Sequence, residues 1–128
     1  MTDSATAAKE IENWIRSEFL PKKYNQAFAK RKLGVQSGAQ IEFDAVSEDG
    51  AVVCIICTSP GKTADGKLDA DALAKVREKI LWAVSLNEKP DTIAFVYTEK
   101  SMGELIKQEK ENGRFPKQIK TLLVKVPS

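Results

Sequence analysis

The stretch VVCIICTSPGKT, residues 52–63, crowds together several residue types that could do chemistry. Cys54 and Cys57 spell CxxC, the spacing of a redox or zinc pair. Gly61, Lys62 and Thr63 spell the tail of a phosphate-binding loop. Such a loop needs glycine at position 56, which is Ile56, and a helix starting at Lys-Thr so that its first amides meet the phosphates. Asp65-Gly66 intervenes before any helix. Residues three apart on a strand point to opposite faces, so the two thiols cannot converge on a disulfide or a metal without a bulge. The chain has no histidine, which removes Ser-His-Asp and Cys-His nucleophiles, the imidazole base and the imidazole zinc ligand. Carboxylates, lysines or a metal held by oxygens are what remain. The stretch therefore reads as a buried strand entering a polar loop, with two structural thiols.

The elements around it follow from hydrophobic spacing. Residues 4–19 suit a helix, with Ile11, Trp14, Ile15 and Glu18 at helical intervals and Pro21 as its stop. Residues 22–33 suit a second helix, with Tyr24 and Phe28 one turn apart and Gly34 closing it. IEFDAVS (41–47) alternates as a strand, and AVVCIICT (51–58) is almost wholly apolar. Asp49-Gly50 between them signals a type I′ hairpin turn. A helix over about 69–87 carries the stripe Leu73, Val76, Ile80 and Val84. TIAFVYT (92–98) is a buried strand. Ser101 with Glu104 forms a capping box for a helix ending at Asn112-Gly113, and IKTLLVKV (119–126) is the last strand. The order is α-α-β-β-α-β-α-β. This makes one α/β domain, a mixed sheet with a β-hairpin flanked by helices.

A two-residue turn at 49–50 fixes the hairpin register. It sets Asp44 opposite Ile55 and Glu42 opposite Cys57. One face then carries Glu42, Asp44, Val46, Val53, Ile55 and Cys57, and the other carries Phe43, Ala45, Cys54 and Ile56. Two carboxylates stand beside a central apolar strand.

This layout resembles the PD-(D/E)XK nuclease superfamily, the restriction-endonuclease-like fold. There an aspartate on one hairpin strand precedes E-x-K on the next, and a helix and another strand follow. GAQIEFDAVSEDGAVVCIICTS has that arrangement, with ICTS where members commonly read VKTS. The resemblance implies that Asp44 takes the metal-binding aspartate position. The glutamate position is Ile55 and the lysine position is Cys57, neither of which can serve Mg²⁺ chemistry. Glu42 and Glu18 are the candidate replacement carboxylates, and Lys62 and Lys67 the candidate replacement cations. What the resemblance implies is a restriction-endonuclease-like core whose catalytic set is incomplete, with no metal held and Mg²⁺ needed only if activity is preserved.

The charge pattern bears on partners. Lys22, Lys23, Lys30, Arg31 and Lys32 crowd the expected second helix, and Lys62 and Lys67 follow in the loop. Such a cluster suits phosphate contacts. The whole chain carries only +2, from 20 basic and 18 acidic residues, so any attraction for nucleic acid must be local. Hydrophobic content of 42% and charged content of 30% over 128 residues belong to an ordinary globular protein. No apolar run approaches the length of a membrane span. A polar start, MTDSATAAKE, and free thiols point to the cytoplasm. Three functions fit: a degenerate nuclease-like domain that binds nucleic acid or assists a DNA-processing partner, a protein-interaction or homodimerisation module, and an active nuclease with relocated residues.

Overall fold

The computed structural model describes residues 4–126. Helix α1 (Ser4–Trp14) runs through a π turn (Ile15–Phe19) into a short helix α2 (Leu20–Tyr24). Pro21 does not stop this run. It sits in the first turn of α2, where a missing N–H is tolerated, and the wide turn just before it carries the Leu20 N–H to the Ile15 carbonyl. Asn25, in the left-handed conformation at φ 56°, ends the helix instead.

The chain then departs from the expected second helix over 22–33. Residues Phe28–Gly34 form a strand, β1, followed by β2 (Gln40–Ser47) and β3 (Val52–Cys57). Lys30, Arg31 and Lys32 favour a helix by propensity, but only on a strand can Phe28 and Leu33 both reach apolar partners. Tyr24 and Phe28 still pack together, with ring centroids 5.7 Å apart and planes tilted by 50°, across the Asn25 turn rather than along one helix.

Helix α3 (Ala70–Val84) crosses to β4 (Thr92–Tyr97), and α4 (Lys100–Glu111) crosses to β5 (Ile119–Leu123). The sheet is five-stranded in the order β1-β2-β3-β4-β5. The first three strands are antiparallel and the last three parallel. Apolar residues of β3 and β4 feed two cores alternately. Cys54, Ile56, Ala94 and Val96 face Ile15 and Leu20 of the α1 layer. Val53, Ile55, Ile93 and Phe95 face Val76, Ile80 and Ile106 of the α3–α4 layer. Strands buried on both faces are why these segments read as continuous apolar runs.

The Asp69 carboxylate caps α3 by accepting from the Ala72 N–H at 3.0 Å. The buried α3 stripe is Leu73, Val76, Ile80 and Ala83, with Val84 only half-buried. The expected capping box at Ser101 does not form, because Glu99 holds the N-cap position and the Ser101 hydroxyl accepts from the Gly61 N–H at 2.9 Å. A Cβ on Gly61 would lie 2.6 Å from the Ser101 carbonyl oxygen, so only glycine lets the 60s loop dock on the start of α4. Among the described residues no helix is long and apolar enough to cross a membrane.

Candidate functional site

The hairpin keeps the expected register, with Ala45 opposite Cys54 and Val46 opposite Val53. Its turn differs. The Gly50 N–H returns to the Ser47 carbonyl at 2.9 Å, so Glu48 and Asp49 are the central residues. Only Gly50 has positive φ there, which excludes a type I′ turn. Ser47 takes over part of the turn's bonding: its buried hydroxyl accepts from the Val52 N–H and donates to Asp49.

One turn of strand further on, β2 bulges. Val46 pairs with Ala29 and Phe43 with Arg31, so Asp44 and Ala45 together oppose the single residue Lys30. A bulge reverses every side chain beyond it. Phe43 consequently packs with Val53 and Ile55 in the α3–α4 core, not with Ala45 and Cys54 as the unbroken alternation requires. Glu42 turns outward, exposed, and stands across from Lys32 of β1. The expected pairing of Glu42 with Cys57 is lost, since the recorded ladder between β2 and β3 ends at Ala45.

Asp44 fills the gap the bulge opens. Its Oδ2 accepts from the Ile56 N–H at 2.9 Å, in place of a strand carbonyl, and lies 3.6 Å from the Lys79 ammonium of α3. Its backbone carbonyl accepts from Arg16 Nε at 2.6 Å, and Arg16 pairs in turn with Glu12 at 2.5 Å. The carboxylate thus ties β2 to β3 and to α3, and the backbone carbonyl ties it to the α1 layer. The carboxylate's partner Lys79 also lines a cleft of about 190 Å³, with Glu12, Cys57, Thr58, Ser59 and Lys75 among others. Ile55 is 2% exposed within the core. Cys57, at the lysine position, is half-buried, and burial pushes its thiol pKa up against the opposing pull of a Ser59 backbone bond and the Lys79 charge.

Glu42 lines one small recess of about 20 Å³ with Asp44, Ile55 and Lys79 but shares no bond with them, and Glu18 stands apart. Glu18 is exposed, because the π turn rephases the helix after Trp14. The residues that do arrive are Glu12, Arg16, Lys75 and Lys79. Glu12 and Arg16 could have been read as an i,i+4 pair, and Lys75 and Lys79 as the flank of the α3 stripe. One carboxylate whose oxygen is already held by an amide and an ammonium is a poor Mg²⁺ ligand, since that ion needs several free hard oxygens. Among the described residues no three acidic or thiol groups converge as a metal would require.

The basic residues separate into two groups. Lys30, Arg31 and Lys32 are all exposed on the edge strand β1, with Lys22 and Lys23 exposed just before it on α2. Lys30 and Lys32 share the α1 side of the sheet and Arg31 faces the other. Lys62 and Lys67 lie in the loop docked on α4, paired with Glu104 at 3.8 Å and Asp65 at 4.0 Å. Helix α4 follows β4, three strand spacings from β1, about 14 Å. They do not extend the β1 patch.

The two cysteines face opposite layers, as their spacing requires. Cys54 is fully buried, and burial, with the Asp44 charge second, pushes its thiol up to about 12. Comparison with protein-family models, curated proteins and solved structures finds no match to this chain.

Proposed function

We propose that the chain is a degenerate nuclease-like domain that binds nucleic acid along its basic edge strand without hydrolysing it. The observation that carries this reading is the exposure of Lys30, Arg31 and Lys32 on β1, directly across the bulge that presents Asp44. Of the three, Arg31 faces the α3 side, where the Asp44 carboxylate meets Lys79, and Lys30 and Lys32 face the α1 side. The layout of a restriction-endonuclease-like core supports it: an aspartate on one hairpin strand, the motif positions on the next, then a helix and a parallel strand. The filling of the motif positions by Ile55 and Cys57 supports the loss of chemistry. Residual hydrolysis is the second reading, favoured by one observation, the Lys79 ammonium 3.6 Å from Asp44. It would replace the cation that Cys57 lacks, but supplies no second carboxylate.

The test is titration of a fluorescent duplex at two salt concentrations. Affinity should fall by orders of magnitude between 50 and 200 mM salt if the contacts number about six or more, and less for fewer. Replacing Lys30, Arg31 and Lys32 with glutamine should weaken binding and flatten the salt slope by about 0.9 per contact removed. No measurable affinity at low salt, or an unchanged one after the triple replacement, rejects the proposal and leaves a protein-interaction module in its place.

A further inference from the structure

On the side of the molecule away from β1, α3 and α4 cover the same sheet face without closing over it. Between them lies a cavity of about 420 Å³. Its walls are apolar: Val76, Ile80 and Val84 from α3, Ile106 from α4, and Phe115 from the segment before β5. Most of these belong to the core, with exposures of 5% for Val76, 6% for Ile80, 2% for Ile106 and 5% for Phe115, so the floor is the core itself. Arg77, Glu109 and Arg114 also line it, and Arg114 is exposed at its edge.

The three charges are not equivalent. Glu109 is nearly buried, and both Arg77 bonds, at 2.8 Å from Nε and 2.5 Å from Nη2, go to its Oε1. That pair is internally neutral and holds the Arg77 side chain against the wall. Arg114 donates its backbone N–H to the Glu109 carbonyl at 2.8 Å. Its guanidinium makes no ion pair or hydrogen bond with the described residues. The charged residues of the lining thus sum to one positive unit, and the Lys110 ammonium, 5.4 Å from the Phe115 ring centroid, adds another cation beside it.

We infer that this cavity binds a small amphipathic molecule with an apolar body and a single anionic head, the body between α3 and α4 and the head on Arg114. Ligand sites are concave, mostly apolar and oriented by a few polar groups, within a volume range that includes this one. At about 30 Å³ for a water-sized group, the space takes on the order of a dozen non-hydrogen atoms. An unpaired guanidinium at an apolar mouth selects against a cationic head and favours a carboxylate or phosphate over a neutral one. The inference is independent of the nucleic-acid reading, since β1 lies at the far edge of the sheet.

The experiment is displacement of 1-anilinonaphthalene-8-sulfonate from the full chain by decanoate and by decanol, which share a tail and differ in the head. Decanoate should displace the dye about tenfold better than decanol. Arg114→Gln, an exposed replacement, should erase that preference with the circular dichroism unchanged. Val84→Trp, which narrows the cavity, should weaken both compounds. Should Val84→Trp fail to fold, amide shifts in the native chain serve instead, and decanoate should move Val84, Ile106 and Arg114. Equal displacement by both compounds, a preference that survives Arg114→Gln, or shifts confined to another surface would overturn the inference. So would concentration-dependent dimerisation abolished by Leu81→Lys, which would make the groove an interface between copies.

Discussion

The two halves of the sheet solve opposite problems. β3, β4 and β5 run parallel, and β3 and β4 are buried on both faces; of their side chains only Cys57, Thr92 and Tyr97, at the ends, are partly exposed. β1 and β2 run antiparallel, carry four consecutive exposed residues and break their pairing with a bulge. β3 and β4 are held mainly by apolar burial, which is non-directional. The antiparallel half is held by directed bonds, above all the Asp44 carboxylate on the Ile56 N–H. Stability concentrates in the first, and groups able to meet a partner concentrate in the second.

The largest expected effect lies in the parallel half. Phe95 is fully buried, stacked on Tyr97 and edge-on to Phe115. Phe95→Ala should cost about 3–5 kcal/mol, read as a shift in the urea midpoint. A loss below about 1 kcal/mol would mean that this half is not where the stability resides.

Asp44→Ala comes next. It removes the acceptor of a part-buried amide and leaves Lys79, half-exposed, to water, so the cost should be about 1–3 kcal/mol. Asp44→Asn should recover much of it, because the amide oxygen can still accept from Ile56. If Asn does no better than Ala, the bond to Ile56 is not what stabilises the bulge.

A further effect appears only in alkali. The Cys54 thiol is raised from 9.0 to about 12, so the folded chain keeps a proton that the unfolded chain releases. That contribution is complete below about pH 9 and is lost as pH rises through 9 towards 12. In this window stability should fall by up to about 1.4 kcal/mol per pH unit. Cys54→Ala should flatten that part of the profile. In the same experiment a thiol reagent should modify Cys57 before Cys54, and faster labelling of Cys54 would place it outside the core.

The smallest effect on stability belongs to the edge. Replacing Lys30, Arg31 and Lys32 with glutamine should change the unfolding free energy by less than about 1 kcal/mol in total, since all are exposed and only Lys32 faces an opposite charge across the strand. A cooperative loss of folding would show that the basic residues build the strand rather than decorate it.

What the sequence disclosed follows the same division. The apolar runs at 52–57 and 92–97 and the stripe on α3 were legible because burial dictates their residue types. The pairing of Ala45 with Cys54 was legible despite a mistaken turn, since moving the centre from Asp49-Gly50 to Glu48-Asp49 left the register intact. β1 was not legible. An edge strand has few apolar positions to declare its period, and its lysines, which guard against edge-to-edge pairing, also favour helices. The bulge was hidden for another reason: Asp44 and Ala45 look like any alternating pair, and only the position of Phe43 in the opposite core reveals the extra residue. Lys79 reached Asp44 through packing between distant segments, which no local spacing reports.

The central claim is that Asp44 is a structural carboxylate beside a binding surface. The most direct measurement incubates a labelled duplex with the native chain and with Asp44→Ala, at low salt, in Mg²⁺ and then in Mn²⁺. With the native chain the duplex should stay bound and intact, and Asp44→Ala should fold and cut nothing. Cleavage by the native chain that disappears in a folded Asp44→Ala variant would contradict this, and would make the Asp44–Lys79 pair part of a working active site.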